Sequence, residues 1–177
     1  ISQLDLNLLK FRLPIMKRLT QNGWKVVAMV PKGDHGHEFE KNNIETSWIS
    51  IKRRSINPIV ELISIWGMYK KLKKINPDII HVHSERGSDV WGAMLAKISG
   101  VPTVCTRRID NPETHFSFYK YKQFDAVISV SEGVRKVVSL HCEGVEHQRV
   151  IYPAVDLTEY SQCKDGGWLR RTFSIPE

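Results

Sequence analysis

Cysteine is scarce in this chain. Cys105, Cys142 and Cys163 are far apart and share no paired spacing, which argues against a disulfide framework and against a zinc site, and points to a reducing cytoplasm. No apolar run approaches the roughly 20 residues that span a bilayer. A secretory leader is not expected, because Ile1 to Asn7 has neither a basic start nor a long apolar centre. The chain opens on Ile1 rather than on Met and reads as a fragment or a processed form. There is no Gly-rich dinucleotide fingerprint, no phosphate loop ending in Gly-Lys-Ser/Thr, and no Gly-x-Ser-x-Gly nucleophile turn. Fixed-period repeats and low-complexity segments are absent too.

What remains is ordinary soluble material. The 177 residues are 41% hydrophobic and 25% charged, enough for one domain with a real core. The net charge is +7, with a pI near 9.4. That balance favours nucleic acid, an anionic membrane or a phosphorylated ligand as partner, without choosing among them.

Apolar runs bounded by turn signals alternate with helical patterns. Helices are expected over Phe11–Asn22, with Pro14 in the first turn and Gly23 as the stop, and over Pro58–Ile75, Asp89–Ser99 and Ser131–Leu140. In Pro58–Ile75 the apolar stripe is Ile59, Leu62, Ile63, Trp66, Tyr69, Leu72 and Ile75. Strands are expected at Trp24–Val30, Glu45–Ile51, Ile79–Val82, Thr103–Thr106, Ala126–Val130 and Arg149–Tyr152, and short helices within Pro31–Asn43 and before Phe124. The fold class is therefore α/β, a mostly parallel sheet with helices on both faces. After Asp156 the pattern dissolves, and Cys163–Glu177, rich in glycine and charge, reads as a linker or a lone terminal helix.

Pro77-Asp78-Ile79-Ile80-His81-Val82-His83-Ser84-Glu85-Arg86-Gly87 reads as a short buried strand emptying into a polar loop. In open parallel sheets, ligands bind beyond the carboxyl ends of the strands. His83, Ser84 and Glu85 are thus candidate ligand contacts. His81 and His83 share one face of the strand; either both are ligands, or His81 packs in the core and His83 alone reaches the mouth. Arg107 and Arg108 follow another strand and suit a phosphate, because a guanidinium binds it in a fork; solvated edge charge is the plainer account. Ser131 caps the next helix, whose free N–H groups at Ser131 and Glu132 suit an anion; capping alone also accounts for Ser131. Lys32 to His37 holds two histidines, but no cysteine or further carboxylate is spaced to complete a metal site. Arg53 and Arg54, with Lys70, Lys71 and Lys74, are either solvated faces or a membrane patch flanked by Ile63, Ile65, Trp66 and Met68.

Six segments in order carry a resemblance: Lys10 to Val30, Arg53 to Pro58, Pro77 to Ser84, Gly100-Val101-Pro102-Thr103-Val104, Phe124 to Ser131, and Val150-Ile151-Tyr152-Pro153-Ala154-Val155-Asp156-Leu157. Together they resemble the amino-terminal, acceptor-side domain of family-4-type glycosyltransferases, which have two Rossmann-like halves (the GT-B fold). The resemblance implies a Rossmann-like domain over 1–160, and a linker over 161–177 toward a donor-binding half not contained in this sequence. It implies sugar transfer from a nucleotide-sugar donor to a glycan or lipid-linked acceptor, with retention and without an essential metal, in cell-envelope or lipopolysaccharide-type synthesis. This half alone is expected to be inactive, cytoplasmic, and peripheral on the inner membrane face.

Three departures stand out. The family's first strand is missing or reduced to Ile1-Ser2, and the Gln3–Asn7 loop lacks a double glycine. Arg108 stands where many members have a histidine, and an arginine cannot accept a proton, so charge stabilisation fits better than a base. Tyr152-Pro153-Ala154 replaces an Asn-Gly turn. The alternative in another class is a non-catalytic module that binds a nucleotide or phosphoglycan. Nucleic-acid binding, suggested by the charge and the Ser131–Val145 stretch, does not suit the alternating strands.

Overall fold

Most of the short strands are apolar on at least one face, and alternation along them decides which core that face enters. A computed structural model of the chain describes residues 1–50, 58–83, 88–112, 117–142, 145–154 and 167–174. The order is α1 (Asp5–Gln21), β1 (Val27–Pro31), α2 (Gly36–Lys41), β2 (Glu45–Ile49), α3 (Pro58–Ile75), β3 (Ile80–His83), α4 (Ser88–Ser99), β4 (Thr103–Arg107), α5 (Ser117–Tyr121), β5 (Ala126–Ser129), α6 (Glu132–Ser139), β6 (His147–Val150) and α7 (Gly167–Phe173). The expected sheet forms as two parallel pieces, β1–β2 and β3–β4–β5–β6. Ile1 and Ser2 lie between them. Ser2 N–H donates to the Met29 carbonyl at 3.2 Å, and His83 N–H donates to the Ile1 carbonyl at 3.0 Å. The amino-terminal dipeptide thus occupies a strand's place, as its resemblance to a reduced first strand implied.

Successive strand residues face opposite sides, and β1 shows both cores. Ala28 and Val30 pack with Leu8, Met16, Phe39 and Ile44. Met29, between them, joins Ile65, Met68, Leu72, Leu95, Val82 and Cys105. Helices therefore cover both faces. On β3 and β4 the second core takes Ile80, Val82 and Cys105. The alternate positions, His81, His83 and Thr106, face the α1 side. Helix α4 comes close to β3 at Gly92, where an added Cβ would stand 2.6 Å from Val82 Cγ1.

Several boundaries differ from expectation, each for a local reason. Helix α1 starts at Asp5, two turns early, so Pro14 lies inside it. Proline removes one intrahelical bond, but Lys10, four residues back, is exposed and its carbonyl can be solvated. Strand β1 begins only at Val27, since Trp24 is 53% exposed and belongs to the turn after α1. The last strand is His147–Val150 rather than Arg149–Tyr152, in register with Ala126–Ser129 of β5; Ile151 N–H still donates to the Ser129 carbonyl at 2.9 Å, but the side chains of Ile151 and Tyr152 are exposed.

The largest correction concerns α3. Its buried line is Ile65, Met68 and Leu72. The first four members of the expected stripe, Ile59, Leu62, Ile63 and Trp66, are 55–67% exposed. The helix carries two apolar arcs, and only one can meet the sheet. Of the residues expected to flank a membrane patch, Ile63 and Trp66 are outside, while Ile65 and Met68 are in the core. No described helix is long and apolar enough to cross a membrane.

Candidate functional site

The carboxyl ends of β3, β4 and β5 lie side by side, with His83 opposite Thr106 and Arg107 opposite Ser129. Strand alternation puts both β3 imidazoles on one face, their rings 4.2 Å apart. The Nε2 atom of His81 lies 2.7 Å from Thr106 Oγ1. Burial brings the pKa of His81 down to about 4, and the Ile1 ammonium and Arg12 press the same way. His83 is lowered further by burial, then by His81, the Ile1 ammonium, Arg12 and Arg108. Both rings are therefore neutral near pH 7. His83 is only 8% exposed and the more buried of the two, so it does not reach the mouth as an open side chain.

The paired arginines after β4 diverge. Arg107 is buried and donates its Nε–H to the Ile109 carbonyl at 2.9 Å. Arg108 turns toward α1, and its Cζ lies 4.8 Å from the centre of the Phe11 ring, within cation–π range. Arg108, not Arg107, is the one that joins the histidine face. Ser131 behaves as a cap, its Oγ accepting the Val134 N–H at 3.2 Å, which stabilises α6 by about 1 kcal/mol. Glu132, in the first turn of α6, is held by Arg135 at 2.6 Å. Ser84 and Glu85, and on the proposed patch Arg53 and Arg54, lie outside the described residues.

The loop after β1 also resolves by pairing. Asp5 is buried; its carboxylate accepts the Leu6 N–H at 2.8 Å and the His35 N–H at 3.2 Å, and lies 3.3 Å from His35 Nδ1. Burial alone would raise the Asp5 pKa, but these bonds and the His35 charge hold it below the usual range. His37 pairs with Glu38 at 3.1 Å. Among the described residues, no three His, Cys, Asp or Glu side chains group as metal ligands would.

The sequence reading missed Arg12. It falls at four-residue spacing between Leu8 and Met16, both buried on α1. A cation on a helix's inward line is a legible signal, but it is visible only once the helix is known to start at Asp5. A groove of about 260 Å³ also runs between β1 and β3, lined by Leu8, Met16, Val26, Leu72 and Ile80. It is mainly apolar and runs from Trp24, Asn76 and Asp78, at the amino ends of the strands, up to His81 and His83 on the site face.

The family described as Glycosyltransferase Family 4 matches residues 15–159. A relative in Campylobacter jejuni, N,N'-diacetylbacillosaminyl-diphospho-undecaprenol alpha-1,3-N-acetylgalactosaminyltransferase, is 26% identical over 102 residues, 58% of this chain and 27% of that protein. A glycosyltransferase structure from Rickettsia africae superposes with a TM-score of 0.70 at 18% identity, covering all of this chain and 48% of its own. Anabaena Alr3699/HepE, solved with UDP, superposes with a TM-score of 0.62 at 17% identity, covering 98% of this chain and 48% of its own. The chain spans about a quarter of that curated relative and about half of those solved structures.

Proposed function

Since the chain belongs to glycosyltransferase family 4, we propose that it is the acceptor-side half of an enzyme that moves a sugar from a nucleotide-sugar to a lipid-linked glycan at a membrane face. The family match over most of the chain carries the reaction class. The Campylobacter relative, named for an undecaprenol-diphosphate acceptor, supports the acceptor, and the Anabaena structure with UDP supports a nucleotide donor. Residues 1–160 form the acceptor domain, and 161–177, containing α7, lead toward a donor-binding half. Transfer proceeds with retention and needs no resident metal. His83, Ser84, Glu85 and Arg108 face or line the acceptor, with Arg107 bracing the loop that carries Arg108. The amino end of α6, at Ser131 and Glu132, borders the cleft.

The test is direct. Full-length protein is given UDP-sugars and a short-chain prenyl-diphosphate glycan, and product is followed by mass and by the anomeric proton coupling. Sugar transfer with the donor's anomeric configuration kept is expected; nucleotide-sugar binding without transfer to any acceptor would leave only a binding module.

The membrane part of this reading rests on the outward arc of α3. Ile59, Leu62, Ile63 and Trp66 form an exposed stripe at helical spacing. The same helix ends in exposed Lys70, Lys71, Lys73 and Lys74. Lys70 Nζ lies 5.6 Å from the Trp66 ring, and Lys73 Nζ 5.6 Å from the Tyr69 ring. Apolar insertion beside cations is the pattern of a helix lying in an anionic interface, where each Lys adds about 1 kcal/mol. We expect full-length protein to co-sediment with phosphatidylglycerol vesicles and much less with phosphatidylcholine vesicles. Ile63→Ser combined with Trp66→Ser should weaken that binding about 10-fold or more. Equal sedimentation of variant and parent, or a concentration-dependent dimer abolished by the same changes, would assign the stripe elsewhere.

A further inference from the structure

Arg12 has no structural task that explains its place. It stands on the inward line of α1 between two buried apolar residues. Its only described hydrogen bond is a long one, Nη1 to the Phe11 carbonyl at 3.5 Å. Its Nε is buried and meets no acceptor. Among the described residues, the charge acting on Arg12 is that of Arg108, a second cation. Burial, then repulsion from Arg108, lowers the Arg12 pKa. A half-buried guanidinium with an orphaned Nε donor, set against a second guanidinium, weakens the fold that holds it. Such an arrangement is relieved when a ligand brings the missing negative charge.

The surroundings define that charge. Arg108 is held over Phe11, the residue before Arg12, so α1 and the end of β4 present their cations together. The His81 ring is anchored on Thr106 and the His83 ring lies 4.2 Å from it, so the described part of this floor holds neutral imidazoles. Guanidinium donors in a fixed fork match phosphate oxygens, and beside neutral imidazoles they strengthen one another on an anion rather than on a sugar hydroxyl.

We propose that Arg12 and Arg108 form a phosphate-binding fork on the α1-facing side of β3 and β4, and that a diphosphate of one of the reactants docks there. This rests on the sugar-transfer reading above and deepens it, since Arg12 then fixes which phosphorylated reactant the amino-terminal half grips. Two reactants carry that group: the lipid-linked acceptor and the nucleotide-sugar donor.

The experiment uses the full-length protein with Arg12→Leu and Arg12→Lys. Inorganic pyrophosphate binding, read by titration calorimetry, should weaken about 10-fold or more in Arg12→Leu and less in Arg12→Lys. The melting temperature of Arg12→Leu should hold or rise, because a half-buried cation with an unpartnered Nε is removed. Steady-state kinetics then separate the sources. A KM rise confined to the prenyl-diphosphate acceptor places the acceptor's diphosphate in the fork. A rise confined to the nucleotide-sugar places the donor's there. Unchanged pyrophosphate affinity with a lowered melting temperature would make Arg12 structural and overturn the proposal. Absence of transfer in the parent protein would defeat the activity reading, while the pyrophosphate titration would still judge the fork.

Discussion

Gly92→Val should lower the unfolding free energy of the domain by about 3 kcal/mol. Gly92 is where α4 meets β3. An added Cβ would stand 2.6 Å from Val82 Cγ1 and 2.8 Å from Cγ2, inside any tolerable carbon–carbon contact. Val82 is fully buried and β-branched, so it has little rotamer freedom with which to yield. Gly92→Ala introduces the same contact but gains about 1 kcal/mol of helix propensity, so its net loss is smaller. A double-mutant cycle isolates the contact. Val82→Ala alone creates a cavity, yet in the Gly92→Ala background it also makes room, so the two changes together should cost less than their sum by about 1 kcal/mol. Urea unfolding of the four proteins measures this. Strict additivity would mean that α4 shifts along the sheet instead. The consequence reaches the site, since Val82 and His83 are consecutive: moving one face of β3 displaces the other.

Acid should be the second large lever. The His81 pKa falls from 6.5 to about 4 on folding. Unfolding releases a ring that takes up a proton below about pH 6.5. Stability is thus complete above pH 6.5 and declines as pH drops toward 4, by about 3 kcal/mol at most for this one group. His83 acts in the same direction. Asp5 is held below the usual carboxylate range, so it stays silent over most of this window. We expect the urea midpoint to fall steadily between pH 6.5 and 4.5, and His81→Gln to flatten that fall. A midpoint constant across the window would refute a buried neutral pair.

Much of this architecture is written locally. The Pro77-Asp78 stop, the four-residue strand and the following polar run identify β3 and its site end without any tertiary knowledge. Ser131 announces α6 because a cap is a short-range interaction. Sidedness is different. Helix α3 carries apolar residues on two arcs, and periodicity cannot say which arc the sheet accepts; packing of Met68 and Leu72 against the sheet decided it. Arg107 and Arg108 look equivalent in a row, yet consecutive residues at a strand end face opposite ways. Arg12 stayed hidden for the opposite reason. Its helix begins a full turn or more before the proline that seemed to open it, so its inward position had no frame.

Cys105 and Cys142 are 0% and 1% exposed. A thiol reacts as its thiolate and only where reagent can reach it. Neither sulfur can be alkylated until its surroundings part. Cys105 lies within β4, between two paired neighbours, whereas Cys142 follows α6 near the entry to β6. Their labelling rates therefore clock two separate events, the splitting of the central strands and the lifting of the α6 end. The chain carries its own pair of buried stopwatches for breathing of the sheet, one beneath the site and one at the far end of α6.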